Sequence, residues 1–150
     1  MPQSLANVLI HLIVSTKNRY PFIDPGIENA LYPYLATACR TCHCPAIKIG
    51  GTADHIHIAC CLARTVSIAK LLEEIKSDSS RWIKTKGPRY SGFAWQGGYG
   101  AFSISQSQLE SLKTYIENQR EHHRVRTFQD EFREFLAKYE IQYDERYVWD

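Results

Sequence analysis

The elements read along this sequence run strand, helix, strand, strand, helix, strand, followed by two more helices. The first six match the split βαβ, or ferredoxin-like, pattern, an α+β class built on one antiparallel sheet. Short apolar runs bounded by turn residues supply the strands, and longer stretches with 3.6-residue periodicity supply the helices. Two helices then cover one face of the sheet. The second face needs a partner, and an added helix at about 105–123, followed by a C-terminal helix, is available to cover it.

Val8 to Ser15 is a short apolar run stopped by Thr16-Lys17-Asn18-Arg19, and reads as a buried strand. Asp24-Pro25 places an acid at an N-cap and proline at the first helical position. That helix should reach about Cys39, with Ile27, Leu31, Tyr34, Leu35 and Ala38 inward. Pro45 to Gly50 reads as a second strand, Gly50-Gly51-Thr52 as a turn, and His55 to Leu62 as a third strand. From Ser67 to about Lys84 the apolar stripe is Ile68, Leu71, Leu72, Ile75 and Trp82, and Gly87-Pro88 ends it. Phe93 to Ser105 carries aromatics with glycines at 97, 98 and 100, which predicts a fourth strand entered or interrupted by a turn or bulge. Ser105-x-x-Gln108 resembles a capping box opening a helix to about His123. A last helix spans about Phe128 to Tyr139, and the tail from Gln142 to Asp150 is expected to be extended.

The 150 residues suit one domain, 1–150, with a real core. No apolar run approaches the roughly 20 residues of a membrane helix, and the N-terminus shows no secretory pattern. A cytoplasmic protein without a membrane partner is expected. The net charge of +2 does not by itself imply nucleic acid. Five cysteines, an odd number, point to free thiols in a reducing compartment. Cys39-x-x-Cys42-His43-Cys44 lacks the second ligand pair that a structural zinc site usually has.

Asp54-His55-Ile56-His57 carries the chemistry. Strand side chains alternate, so His55, His57 and Ala59 share one face while Ile56, Ile58 and Cys60 share the other. The isoleucines can face the helices, which leaves the histidines on the open face, about 7 Å apart at the backbone. An isolated His-x-His more often marks polar residues on an exposed sheet. Tyr115 and Gln119, four positions apart, lie on one helix face, with Asn118 close to it; alone, they would read as an amphipathic surface helix. Jointly, two imidazoles and an amide oxygen make an open three-ligand set for a divalent cation such as Mg2+ or Mn2+, completed by phosphate oxygens and water. Tyrosine is a known covalent nucleophile, and a phenol of pKa about 10 needs a polarised phosphate to attack.

At these residues the chain resembles the single-tyrosine HUH transposases of bacterial insertion sequences, named for His-hydrophobic-His. His11-Leu12-Ile13-Val14-Ser15-Thr16-Lys17-Asn18-Arg19 is similar to their first strand, and Asp54-His55-Ile56-His57-Ile58 to their HUH strand. Trp95-Gln96-Gly97-Gly98-Tyr99-Gly100-Ala101-Phe102-Ser103 resembles a recurrent segment before the catalytic helix. Tyr115-Ile116-Glu117-Asn118-Gln119-Arg120-Glu121-His122-His123 resembles that helix, and Tyr143-Asp144-Glu145-Arg146-Tyr147-Val148-Trp149 is similar to family tails. The resemblance implies that His55, His57 and Gln119 bind the metal. It implies that Tyr115 attacks single-stranded DNA to form a 5′-phosphotyrosine. It also implies hairpin DNA ends as substrate, a homodimer with shared active sites, and association with the nucleoid when DNA is bound.

Lys76, Arg81, Lys84, Lys113 and Arg120 are candidate contacts to DNA phosphates. Trp82, Trp95 and Tyr99 could stack on bases, although core packing is the commoner fate of tryptophan. A histidine-triad hydrolase would need a third histidine where Ala59 stands. The remaining alternative is a non-mobile, domesticated or non-catalytic nucleic-acid-binding domain of the same fold.

Overall fold

The computed structural model describes residues 2–150. The strands are β1 (Leu9–Ser15), β2 (Ala46–Gly51), β3 (His55–Cys61) and β4 (Gly100–Ile104), and the helices are α1 (Pro25–Thr41), α2 (Ile68–Lys84), α3 (Leu109–Glu117), α4 (Gln119–His122) and α5 (Phe128–Lys138). The sheet order is β2-β3-β1-β4, with every pairing antiparallel. This is the ferredoxin-like order expected from the sequence.

Local chemistry sets the helix starts. Asp24 Oδ1 accepts from Ile27 N, Ser67 Oγ from Lys70 N and Thr127 Oγ1 from Asp130 N, each satisfying an orphan donor of a first turn. Gln108 reaches back to accept from Ser105 N, as the capping pattern predicts. α1 and α2 pack on the face of Ile56, Ile58 and Cys60, where Leu31, Leu35, Leu71, Leu72 and Ile75 form the main core. Ile83 and Ser79 are buried on α2, whereas Trp82 is only half-buried and stacks on Tyr34 at 4.7 Å. Tyr34 therefore sits at the α1–α2 seam rather than in the core.

The second face has two covers. α3 lies over β2 and β3, with Leu112 and Ile116 against Ala59. A Cβ at Gly50 would come within 2.5 Å of the Ile116 carbonyl oxygen, so only glycine lets α3 approach β2 this closely. α5 lies over β1 and β4, with Phe128, Phe132 and Leu136 on Ile13 and Phe102. The buried histidines lie between these two patches.

Three expectations need correction. The fourth strand is confined to Gly100–Ile104; ahead of it only Trp95 makes a lone bridge, to Thr16. The segment between is held instead by Lys76, whose ammonium donates to the carbonyls of Gln96, Gly97 and Gly98. The expected single helix to His123 breaks at Asn118 (φ −96°, ψ 23°) into α3 and α4. The tail is not extended. Tyr147 N and Val148 N both donate to Asp144 O, and the turned segment places Trp149 against Phe128 and Phe132. Among the described residues no helix is long and apolar enough to cross a membrane.

Candidate functional site

Antiparallel register fixes the histidines. His55 pairs with Ser15 and His57 with Ile13, while His11 pairs with Ala59. His11, His55 and His57 thus reach the same face and are all buried. Asp54 Oδ1 accepts from His55 Nδ1 at 2.7 Å, which turns His55 Nε2 inward. Burial opposes ionisation of Asp54, but hydrogen bonds from His55 and Thr52, with the His55 and His123 imidazoles nearby, together outweigh it and lower its pKa. His57 Nε2 points to the same spot.

Tyr115 and Gln119 are brought to this spot, as the sequence predicts. Gln119 is buried, with Oε1 2.9 Å from His55 Nε2 and Nε2 donating to Glu131 Oε2 at 3.1 Å. A carboxylate only accepts, so the amide nitrogen must face Glu131 and the carbonyl must face His55. The Tyr115 hydroxyl donates to Glu131 Oε2 through a short bond and accepts from Arg126 Nη2 at 2.7 Å. Its ring stacks on His122 at 4.5 Å and lies edge-on to His57 at 5.8 Å.

Glu131 is the residue the sequence reading missed. It comes from α5, is fully buried, and accepts from His57 Nε2 at 3.0 Å. Burial alone would raise its pKa, but the imidazoles of His123, His57 and His55 hold the carboxyl far below the usual range. Ligand atoms of His55, His57 and Glu131 all lie within 4.8 Å of one another. Two imidazoles and a carboxylate are a donor set that suits a first-row divalent ion. Two further observations fit a cation. With Nδ1–H given to Asp54, a neutral His55 would present a lone pair to the lone pairs of Gln119 Oε1 at 2.9 Å; that contact calls for positive charge, from a second proton or a metal ion. His123 Nε2 is buried without a hydrogen-bond partner, 3.2 Å from Glu131 Oε1 but off the line a hydrogen bond needs. Buried polar groups are seldom left so unless an ion or water completes them.

Burial raises the Tyr115 phenol pKa, and the neighbouring Glu131 charge raises it further, so the resting side chain is protonated. Burial pushes His57 down to about 4, against the pull of Glu131, and pushes His11 well below its usual value. The unfolded chain therefore takes up protons on these rings before the folded one does. Stability from His57 is complete above its unfolded value of 6.5 and is lost as pH falls toward 4, about 3 kcal/mol in all. His11 adds in the same direction, and Glu131 adds once pH drops below the ordinary carboxylate range. The metal-free protein should show its denaturation midpoint falling continuously from pH 7 to 4; a flat profile would contradict the burial of neutral rings.

The candidate phosphate contacts are not gathered at this site. Lys76, Arg81 and Lys84 lie on α2, which packs on the opposite sheet face. Lys76 is committed to backbone carbonyls and Arg81 pairs with Asp78. Lys113 pairs with Glu110 on α3, and Arg120 with Glu28. Arg126, which the sequence reading passed over, is the basic group that reaches Tyr115. Trp95 donates to Ser79 Oγ inside the fold, while Tyr99 stays partly exposed beside Lys76. The five cysteines are free; burial raises the Cys39 thiol to about 12, and among the described residues they form no metal cluster.

Known proteins share this fold. No functionally curated protein matches the sequence. One similar solved structure is a protein assigned as a transposase of Deinococcus radiodurans R1, with TM-score 0.62 and 20% identity over 79% of this chain and 98% of that one. Another is the REP-associated tyrosine transposase bound to a REP hairpin, with TM-score 0.60 and 14% identity over 82% of this chain and 72% of that one. At these identities the likeness is one of fold. The family model described as transposase, IS200-like, matches residues 4–119, well over half of the sequence, and the chain therefore belongs to the IS200-like transposase family, whose members act on DNA.

Proposed function

We propose that this chain is a divalent-metal-dependent transposase of single-stranded DNA that cuts and rejoins strands through Tyr115. The observation that carries the reading is the convergence of the Tyr115 hydroxyl, two imidazoles and a carboxylate in one buried cluster. His55, His57 and Glu131 would hold Mn2+ or Mg2+, with Gln119 Oε1 beside His55 as a further oxygen ligand. A cation held there would supply polarisation of a phosphodiester and offset charge on the leaving oxygen. Tyr115 Oη forms the new bond to phosphorus while the bond to the 3′-oxygen breaks. Glu131 Oε2 accepts the hydrogen bond that orients the phenol; the phenolic proton is lost to solvent as the new bond forms, and the 3′-oxygen leaves as a hydroxyl after taking a proton from solvent. Arg126 steadies the charge on Oη. The product is a 5′-phosphotyrosine, which keeps a phosphodiester and can be reversed by a 3′-hydroxyl without ATP.

Hairpin ends are the proposed substrate, since the REP-associated relative is bound to a hairpin. Lys113 on α3 and Arg120 on α4, the helices that carry Tyr115 and Gln119, are the proposed phosphate contacts on the site's side of the sheet; Lys76, Arg81 and Lys84 would meet only DNA that wraps to the α2 face. A homodimer is carried over from the family resemblance, with cytoplasmic, nucleoid-associated placement. Each copy holds a complete residue set in this reading.

The test is a labelled single-stranded oligonucleotide bearing a hairpin, incubated with the protein and Mn2+. A protein–DNA adduct stable to denaturation and absent in EDTA is expected. Absence of adduct across hairpin substrates that the protein demonstrably binds would favour the non-catalytic binding role.

A further inference from the structure

His11 has no task in the reaction above, yet it is buried and its Nε2 lies 2.7 Å from His57 Nδ1. It sits on β1 opposite Ala59, diagonal to His57 across the strand pair. Its ring stacks on His57 at 5.0 Å and is held edge-on by Phe135 at 5.1 Å. The other ring neighbours of His11 are Phe102 and Phe135, so His57 Nδ1 is the polar atom that phenylalanine or leucine here would leave without a partner. What imidazole adds is one donor and one acceptor.

Glu131 Oε1 can only accept, so His57 Nε2 carries its proton in the cation-free arrangement. His57 Nδ1 is then an acceptor, and His11 Nε2 must be the donor. To ligate a cation through Nε2, His57 must carry its proton on Nδ1, and the atom 2.7 Å away must then accept. His55 has no such choice. Its Nδ1 faces the Asp54 carboxylate, which accepts in either case and fixes Nε2 inward. A carboxylate in place of His11 would lock His57 in the same way, and a group that only donates would lock it in the opposite state. A neutral imidazole serves both.

We infer that His11 is the positioning residue for His57, a reversible hydrogen-bond partner that lets Nε2 alternate between donating to Glu131 and ligating a divalent cation. The inference rests on the metal reading proposed above. The pair holds two protons in each state. The His11 Nε2 proton passes to His57 Nδ1, the His57 Nε2 proton leaves to solvent as the cation arrives, and one proton returns from solvent to His11 Nδ1.

The experiment uses the full chain labelled with 15N, and long-range proton–nitrogen spectra of the imidazoles without and with saturating Mg2+. His57 should be protonated on Nε2 without the cation and on Nδ1 with it, and His11 should change from Nε2–H to Nδ1–H. In Mn2+ titrations, His11→Phe should bind about 10- to 100-fold more weakly, the usual range for a lost partner of a ligating histidine. His11→Gln should stay within about threefold of the parent, because an amide can present either its donor or its acceptor end. Melting curves establish that both variants are folded; if His11→Phe is not, the parent spectra decide. The same His57 tautomer in both states overturns the inference, as does Mn2+ binding by folded His11→Phe equal to the parent. A parent that binds neither ion removes the metal reading itself, and with it this inference, before any variant is made.

Discussion

Tyr115→Phe is expected to form no covalent DNA adduct while remaining folded. The ring stays against His122 and His57, and only the hydroxyl that Glu131 and Arg126 hold is removed. Losing that hydrogen-bonded group should cost folding about 1 kcal/mol, visible as a small drop in melting temperature. Catalytically the loss is complete to the limit of detection, at least about four orders of magnitude by analogy with other removed nucleophiles. Arg126→Ala should keep the nucleophile and lower the adduct rate about 100-fold, the usual cost of one charge-stabilising donor. Mixing Tyr115→Phe with His57→Ala tests where the two halves meet. No recovery is expected, because Tyr115 lies beside His57 within one chain. Recovered activity would mean that α3 is exchanged between copies, as the shared-site dimers of the resemblance would have it. An adduct that persists in Tyr115→Phe would remove Tyr115 from its role altogether.

Glu131→Gln is expected to have the largest effect on metal binding. The carboxylate brings the negative charge of the ligand group, and the amide that replaces it is neutral and can place a donor where the cation should sit. Mn2+ affinity should fall by at least about 100-fold, against about 10-fold for Gln119→Ala, whose oxygen flanks only His55. The reverse ranking would restore Gln119 as the third principal ligand and make Glu131 a holder of its amide. Folding responds differently. In Glu131→Gln the new amide can still accept from Tyr115 or His57, whereas Glu131→Ala strands buried donors on His57, Tyr115 and Gln119, each costing about 1–3 kcal/mol. Calorimetric titration and melting of both variants separate the metal effect from the folding effect.

Much of this site was legible because its signals are local. Alternation along β3 put His55 and His57 on one face and Ile56 and Ile58 on the other. Helical spacing put Tyr115 and Gln119 on one side of the added helix. The break at Asn118 was not legible, since a run with continuous helical propensity gives no sign of where packing will bend it. Glu131 was not legible for a different reason. It stands among Asp130 and Glu134 in an amphipathic helix, where a carboxylate ordinarily faces water. Its buried fate depends on Phe128, Phe132 and Leu136 docking on Ile13 and Phe102, contacts made across the whole length of the chain. Lys76 shows the converse. Its charge in the sequence suggests a phosphate contact, and in the fold its ammonium donates to three loop carbonyls.

The sequence by itself determined the order of elements, the face on which the two histidines lie and the nucleophile candidate four residues before Gln119. Each of these follows from backbone periodicity, which acts over a few residues. Tertiary structure alone decided that α5 closes the second face beside α3, that Glu131 rather than a neutral amide supplies the charge between the histidines, and that His11 stands behind His57. These depend on side chains brought together from distant parts of the chain, where burial and unpaired hydrogen-bonding groups set the energy and periodicity does not reach.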